Sequence, residues 1–370
     1  MVDEITAALA SFNLEPFTQL ALFIDAYVWW LFLLPAIALY LLYPSVRNNR
    51  LRVLSFAIAL ASAAVLTVSV KEAFSIPRPC AEMSWLAKAG CPADYSFPSG
   101  HTAYSFVFAG ASLGTSFFPF FFIMSIIVAL SRIYLGIHTV MDVVGGTALG
   151  LSCYFIVENL LRAHLPRIVP ESEGRKVEKP KEAGARLEIR RDFFHIAFGT
   201  AVVALIYILG ANLTSLLLML SLFLGMAAMH LRMRRKPLPF IDYLFDLLER
   251  PMVIPARGAF MYVLGSLLAL SFLPNASEAA ATIAVLAWGD GMATIVGELW
   301  GGRFPLPYNK EKSVYGTLAF FIFSGAAAYP FVGPSAFALA ASCAIIETLD
   351  LKVDDNLLVP IAGILYFMIA

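Results

Sequence analysis

The chain has 370 residues, 60% of them hydrophobic and 14% charged, with a mean hydropathy of +0.78, whereas soluble domains run at roughly 45–50% apolar and about 25% charged. Its 26 basic and 26 acidic residues cancel, which excludes the strongly basic balance of a nucleic-acid binder and makes the placement of charges the informative feature. The four cysteines form no C-x-x-C pair, so the usual zinc and iron–sulfur patterns are absent, and Cys153 and Cys343 sit in apolar runs as core residues.

Residues 1–16 carry Asp3, Glu4 and Glu15 but no basic residue, so they lack the n-region of a cleaved signal peptide. The first apolar run is therefore expected to stay in the membrane, preceded by a short interfacial helix with Ile5, Leu9 and Phe12 on one face. A spanning helix needs about 20 mostly apolar residues. Runs near 20–43, 53–70, 102–118, 120–134 and 139–161 meet or approach this, with Pro119 separating the third from the fourth.

After Leu161 the composition changes to Arg167, Arg175, Lys176, Lys179, Lys181 and Arg186 among glutamates, prolines and glycines, which marks a solvated linker. Further apolar runs follow near 193–209, 213–229, 260–273, 279–296, 317–332, 336–346 and 357–370. The segment 230–255 begins with Arg232, Arg234, Arg235 and Lys236. It then sets Phe240, Ile241, Leu244, Phe245, Leu247 and Leu248 among acids, the pattern of an interfacial helix that guides a lipid or of a packing helix. The sequence thus predicts an all-α polytopic transmembrane bundle of about 12 spans. Its two membrane domains, 1–165 and 191–370, flank a cytoplasmic linker over 166–190.

Arg47, Arg50 and Arg52 crowd the first short loop, and short basic loops face the cytoplasm. The N-terminus then lies outside, the loops 71–98 and 133–138 outside, and the linker and the loops 297–316 and 347–356 inside. The expectation is a multi-pass protein of the cell membrane with one chemistry on each face.

Three islands fall at the outer ends of predicted spans: Lys71 and, after six residues, Arg78-Pro79; Pro98-Ser99-Gly100-His101; and Ser131-Arg132, then His138, then Asp142. Ionisable residues at membrane depth are costly and usually functional. Lys71, Arg78 and Arg132 supply three cations with no matching run of carboxylates nearby, and a phosphate is their natural counter-ion. Ser99 and Gly100 open an apolar run and so are placed to offer backbone N–H groups to the same anion, Gly100 allowing close approach. His138 and Asp142 are four apart at a helix start, so the carboxylate can fix the imidazole tautomer and leave a competent nucleophile. His101 then serves as the general acid that protonates the leaving alkoxide, a reaction that needs no metal or cofactor.

A lone histidine or arginine beside a span is commonly an interfacial anchor; this ordered set is not. The region 53–161 resembles the type 2 phosphatidic acid phosphatase family at every position of its three-part signature. The resemblance implies a phosphohistidine at His138, His101 as acid, Asp142 as the orienting partner, and Lys71, Arg78, Arg132, Ser99 and Gly100 as the phosphate cradle. The chain departs from many relatives in having two spans before Lys71 rather than three. Cys80 and Cys91 share the outer loop between the first two islands, where an oxidising exterior permits either a disulfide or two free thiols.

In the second half, Arg191-Asp192-Phe193-Phe194-His195, Gly289-Asp290-Gly291, the Lys310, Lys312-Ser313 cluster and Glu347 with Asp354, Asp355 and Asn356 recur at span ends on the predicted inner face. Asp290 in an apolar run needs a cation, for which Mg²⁺ is suited. Glycines, lysines and carboxylates together are the parts of phosphoryl transfer from a nucleotide, although each short motif taken alone reads as a turn or a solvated loop. Their order resembles the CTP-dependent polyprenol kinase family over about 190–370. That implies transfer from CTP to a lipid alcohol, with Asp290, Lys312 and Asp355 as site residues.

The sequence reading is a bifunctional enzyme whose partners are membrane lipids and CTP. The outer site would remove phosphate from a polyprenyl phosphate or diphosphate, and the inner site would phosphorylate the free polyprenol, recycling a carrier. Two alternatives stand beside it: phosphatidic acid and diacylglycerol as the substrates, and a lipid scramblase or transporter with a degenerate second half.

Overall fold

The computed structural model describes residues 3–88, 90–168, 183–236, 238, 256–300, 304–310 and 312–370. Most of the linker and most of the 230–255 segment lie outside the described residues. The described chain is all-helical; its one β feature is an isolated bridge between Pro305 and Ser313. It divides into two compact units, 1–174 and 175–370.

Unit 1 contains α1 (Glu4–Ser11), α2 (Glu15–Leu42), α3 (Pro44–Arg47), α4 (Arg50–Phe74), α5 (Pro79–Glu82), α6 (Gly100–Ser112), α7 (Phe118–Tyr134) and α8 (Val140–His164). The expected interfacial helix forms as α1 but is docked: Thr6 is fully buried and its Oγ1 accepts a hydrogen bond from the Val140 N–H at 3.0 Å. Pro119 falls in the first turn of α7, where its missing N–H costs nothing. The third apolar run ends sooner than expected, at Ser112, because the chain turns through 113–117 with Gly114 at positive φ.

α8 is the buried axis of the unit and packs against α4 and α6. In lipid, helices associate through close packing rather than through hydrophobic transfer, which favours small residues at the contact. At Gly150 an added Cβ would lie 2.1 Å from the Ala103 carbonyl oxygen, so this glycine sets the approach of α8 to α6. Ile24, Val28 and Phe32 of α2 meet Phe108, Phe121 and Val128 to form the apolar core beside them.

Unit 2 contains α9 (Ala183–Met233), α10 (Arg257–Phe272), α11 (Ala276–Ala284), a π-turn (Val285–Asp290), α12 (Gly291–Trp300), α13 (Val314–Val332), α14 (Ser335–Thr348) and α15 (Asp355–Ile369). The two apolar runs expected near 193–209 and 213–229 are the two legs of α9, broken at Gly210 (φ 79°, ψ 162°). The run expected over 279–296 is helical from Ala276 to Trp300 but widens into a π-turn ending on Asp290. Such turns occur frequently at functional sites. Tyr262, Val285, Leu286, Phe320, Leu339, Cys343 and Val359 form the core.

Among the described residues six helices are long and apolar enough to cross a membrane: Glu15–Leu42, Arg50–Glu82, Val140–His164, Arg190–Met233, Ala276–Trp300 and Val314–Val332. Phe118–Tyr134, Arg257–Phe272, Ser335–Thr348 and Asp355–Ile369 are shorter apolar helices, so of the about 12 spans expected, some of them short, six reach spanning length among the described residues.

Candidate functional site

His138 sits on the turn between α7 and α8, and what positions it is the start of α8. There Thr139 and Asp142 form a capping box: the Asp142 N–H donates to Thr139 Oγ1 at 3.1 Å, and the Thr139 N–H donates to Asp142 Oδ2 at 2.6 Å. The same Oδ2 lies 3.4 Å from His138 Nδ1 and also accepts the Ser96 hydroxyl. One carboxylate therefore ends the helix and turns the imidazole, leaving Nε2 facing Arg78 Nη1 at 3.0 Å. His138 and Asp142 are each only 2% exposed. Burial, the largest influence, pulls the His138 ring down to about 4 against the raising effect of Asp142. The ring is neutral near pH 7, and with Nδ1–H donated to Asp142 the lone pair is on Nε2.

The three cations come from different segments, Lys71 from α4, Arg78 from the loop before α5 and Arg132 from α7. Lys71, in the last turn of α4, donates to Asp94 Oδ2 at 2.6 Å and to the Tyr95 carbonyl. Arg78 donates to Asp94 Oδ1 at 2.6 Å, to the Asp94 carbonyl at 3.0 Å and to the Ile137 carbonyl at 3.0 Å. Arg132, fully buried in the last turn of α7, donates to Ser131 Oγ at 3.2 and 3.3 Å and pairs with Asp25 of α2.

This corrects the expectation that the cations lack nearby carboxylates: Asp94 bridges two of them and Asp25 holds the third. Burial pushes the Asp94 carboxyl up, but Lys71 and Arg78 outweigh it and hold the group at about 2. Asp25 carried a signal that sequence reasoning passed over, being an acid inside an apolar run like Asp290. Ser96 had none.

The Ser99 N–H, expected to face the anion, instead donates to the Asp142 carbonyl at 2.9 Å. Ser99 stands at the N-cap position of α6 without a side-chain cap hydrogen bond, so the donors left without intrahelical partners are those of the first turn, beginning at Gly100. His101 follows in that turn and lines a small pocket with Val28, Trp29, Phe32, Tyr104 and Phe108. It lies close enough to Arg132, His138 and Arg78 to feel their charge. Cys80 and Cys91 are joined as a disulfide, which ties together the segment between Arg78 and Asp94.

Unit 2 gathers a second polar centre. The turn 304–314 folds back on itself, Leu306 N–H donating to the Lys312 carbonyl at 2.9 Å and Val314 N–H to the Phe304 carbonyl at 3.0 Å. Asn309 and Tyr308 pin it to Thr348 at the end of α14. This presents Lys312 to Glu347 and, at 2.8 Å, to Asp355. Burial opposes the Lys312 charge, but Asp355 and Glu347, with Asp290 beyond them, raise it above its ordinary value. Asp290 Oδ2 lies 3.9 Å from His195 Nδ1, and the Tyr262 ring packs against His195 at 4.9 Å, tilted by 49°. Asp192 is fully buried with Oδ1 on Arg191, while its Oδ2 has no hydrogen-bond partner among the described residues.

Other residues singled out in the sequence have structural positions. Gly289 and Gly291 abut Phe320 and Ile196, where an added Cβ would lie 2.8 and 2.6 Å from the side chain. They admit neighbouring helices, not an open phosphate face. Ser313 caps α13 by accepting from the Gly316 N–H at 3.1 Å. Asn356 donates to Asp354, the cap of α15, and Lys310 is exposed on the turn. No three His, Cys, Asp or Glu side chains among the described residues form a ready metal cage. Mg²⁺, however, is commonly held by one or two carboxylates together with substrate phosphates, a donor set that Asp290 and its neighbours fit.

The comparisons with known proteins bear on these centres unequally. The chain is 30% identical over 175 residues to an uncharacterized protein of Methanocaldococcus jannaschii, which covers 47% of this chain and 88% of that relative. No solved structure matches. The PAP2 superfamily model matches residues 52–164, a range that contains Lys71, Arg78, His101, Arg132, His138 and Asp142, and so supports a lipid-phosphatase type of hydrolase. Residues 52–164 are a PAP2 superfamily domain.

Proposed function

We propose that unit 1 hydrolyses a lipid phosphate through a phosphohistidine at His138. The observation that carries this is the two-sided hold on the imidazole, Asp142 and Ser96 at Nδ1 and Arg78 at Nε2. Nε2 attacks phosphorus as the bond from phosphorus to the lipid oxygen breaks, and His101 gives its proton to the departing alkoxide. His101 then takes a proton from water, which attacks the phosphohistidine and releases inorganic phosphate and His138. Lys71, Arg78, Arg132 and the first turn of α6 stabilise the charge that gathers on the phosphoryl oxygens.

The site acts on the outer face of the cell membrane, a placement favoured by the basic 47–52 loop and by the disulfide on the opposite side of α4. Its substrate is a polyprenyl phosphate or diphosphate. Phosphatidic acid is the competing substrate, separated from it by assay of both lipids side by side.

A second activity in unit 2 is favoured by the Lys312–Glu347–Asp355 cluster facing Asp290. There a polyprenol would be phosphorylated from CTP on the cytoplasmic face, with Lys312 on the nucleotide phosphates and Asp290 and Asp355 as ligands of Mg²⁺. The bound Mg²⁺ would supply neutralisation of phosphate charge; Glu347 and Asp355 hold Lys312 in place.

One experiment tests both sites. Wild type, His138→Ala and Asp290→Ala are incubated with labelled polyprenyl lipids, with and without CTP and Mg²⁺. Phosphate release lost in His138→Ala alone, and polyprenol phosphorylation lost in Asp290→Ala alone, are the expected results. Release that survives without His138 overturns the first reading, and wild type inert toward every prenyl alcohol overturns the second.

A further inference from the structure

The turn that carries His138 runs from Leu135 to Thr139, between the end of α7 at Tyr134 and the start of α8 at Val140. Both of its ends are tied to the N-terminal stretch, which lies outside the PAP2 domain of residues 52–164. Val140 opens α8, and its N–H is one of the first-turn donors that have no partner within their own helix. Thr6 of α1 supplies the acceptor, with Oγ1 at 3.0 Å, and both residues are fully buried at 0% exposure. At the other end, the Tyr134 hydroxyl donates to the Leu14 carbonyl at 3.2 Å, accepts the Leu14 N–H at 3.1 Å and lies 2.8 Å from Thr18 Oγ1.

The Thr6 hydroxyl is set to accept. Its hydrogen goes to Asp3 Oδ2 at 2.6 Å, while Asp3 Oδ1 takes the Thr6 N–H at 2.9 Å as the N-cap of α1. The lone pairs of Oγ1 thus face Val140, and a chain of hydrogen bonds that polarise one another runs from the Asp3 carboxylate through Thr6 to the start of α8. Thr6 does for the first donor of α8 what Thr139 Oγ1 does for the third, the Asp142 N–H. With both donors satisfied, Asp142 Oδ2 is left to the Thr139 N–H, Ser96 and His138 Nδ1. A buried N–H stripped of its acceptor is costly, and the first turn of α8 can relieve it only by moving, taking the Asp142 carboxylate with it.

We propose that Thr6 is a positioning residue of the phosphatase site: α1 clamps the turn between α7 and α8, with Tyr134 as the second clamp, so that His138 Nε2 is held in line for attack. The inference rests on the phosphohistidine reading of unit 1 for its catalytic consequence; the clamp itself is measured separately.

The test uses the full-length protein in detergent micelles. Thr6→Val keeps the shape of the side chain and deletes the hydroxyl. Its kcat for a lipid phosphate is expected to fall about tenfold, within the roughly 100-fold that a 1 Å misplacement costs, with KM and inhibition by inorganic phosphate unchanged because the three cations stay in place. Orthovanadate, which bonds to Nε2 in the geometry of the attack, should inhibit about tenfold more weakly. Thr6→Ser restores the hydroxyl and should recover most of both losses. Tyr134→Phe releases the other end of the turn and should shift the same two quantities, which keeps the test open should Thr6→Val fail to fold. Ser11→Ala, whose hydroxyl donates within α1 to the Ala8 carbonyl, should change neither. Backbone hydrogen exchange read by mass spectrometry should quicken over 135–142 in Thr6→Val and stay as it was over α6.

A Thr6→Val protein that exchanges faster over 135–142 yet keeps its kcat and its vanadate inhibition would show α1 to be packing alone and overturns the proposal. Unchanged exchange overturns it too, as does a loss of kcat that Thr6→Ser does not recover. If wild type releases phosphate from no lipid, the phosphatase reading of unit 1 fails, and exchange over 135–142 still decides whether α1 holds the turn.

Discussion

Replacing Asp94 by asparagine isolates the question of what the proposed phosphate cradle holds before substrate arrives. Asp94 accepts from Lys71 and Arg78 at 2.6 Å each and is 54% exposed, whereas the two cations are 11% and 6% exposed. The carboxylate therefore lies over the cradle from the solvent side and occupies the charge that a phosphoryl group would use. Exposed ion pairs contribute about 0.2–1 kcal/mol each, so freeing both cations makes about 0.4–2 kcal/mol available to an incoming anion. At 1.4 kcal/mol per factor of ten this is roughly 2–30-fold.

Asp94→Asn is accordingly expected to tighten inhibition by orthovanadate or inorganic phosphate by that factor, and to lower KM for the lipid phosphate, with kcat little changed. The assay is release of labelled phosphate from lipid in detergent micelles across an inhibitor series, at fixed ionic strength because salt screens the effect. Lowering the pH cannot substitute for the mutation, since Asp94 stays ionised down to about 2. Inhibition that is unchanged or weaker, with kcat reduced, would refute the reasoning and make Asp94 a prop that keeps Lys71 and Arg78 in position.

Three further outcomes are expected. Because burial brings His138 down to about 4 and the nucleophile is the neutral ring, its contribution to the acid limb of kcat/KM should fall near pH 4 rather than near the ordinary 6.5; this limb is read after allowance for the second ionisation of the substrate phosphate, near 6, and a histidine limb at 6.5 would contradict the burial. Asp142→Asn keeps a cap acceptor for the Thr139 N–H but removes the charge at Nδ1, so turnover should drop by about 10²–10⁴, while Ser96→Ala, which deletes one hydrogen bond, should cost only about tenfold; equal losses would show that Ser96 and Asp142 act as one unit. Lys312→Ala strands Glu347, 3% exposed, against Asp355, and should destabilise unit 2 by about 3 kcal/mol, the low end for breaking a buried pair, with thermal unfolding in detergent as the measure and Lys312→Arg recovering most of the loss.

What could be read in the sequence depended on range. Cations at the ends of apolar runs break the rule of the membrane interior locally, so Lys71, Arg78 and Arg132 were legible from their neighbours alone. Their partners were not: Asp94 lies 23 and 16 residues from Lys71 and Arg78, and Asp25 lies 107 residues from Arg132. Those pairings exist only once α2, α4 and α7 have packed. The His138–Asp142 relation was legible because it sits within one helical turn, whereas the second contact of Asp142 was not read: its Oδ2 also accepts from the Thr139 N–H at the start of α8. The π-turn at Asp290 escaped because one extra residue in a turn leaves hydropathy unaltered, and the early end of α6 escaped because the break at 113–117 contains no proline to mark it.

The two polar centres differ in the sign of what they lack. In unit 1, Asp94 and Asp25 neutralise cations from partly exposed positions, at 54% and 37%, while Arg132 itself is fully buried. An arriving phosphate can therefore take over the cations and release the carboxylates to water at little cost. In unit 2 the exposure is reversed: Glu347 and Asp192 are at 3% and 0%, and Lys312, at 27%, is shared between Glu347 and Asp355 with Asp290 close by. Carboxylates outnumber cations there and cannot retreat to solvent. An anion arriving alone would face net repulsion, so on the proposed kinase reading a nucleotide would need a divalent cation to enter with it, whereas on the proposed phosphatase reading the His138 centre would receive a phosphate unaccompanied. Chelation should therefore separate the two activities, abolishing polyprenol phosphorylation while phosphate release continues. Phosphorylation that persists in chelator would mean that Lys312 alone offsets the phosphates, and would remove Asp290 from the role of metal ligand.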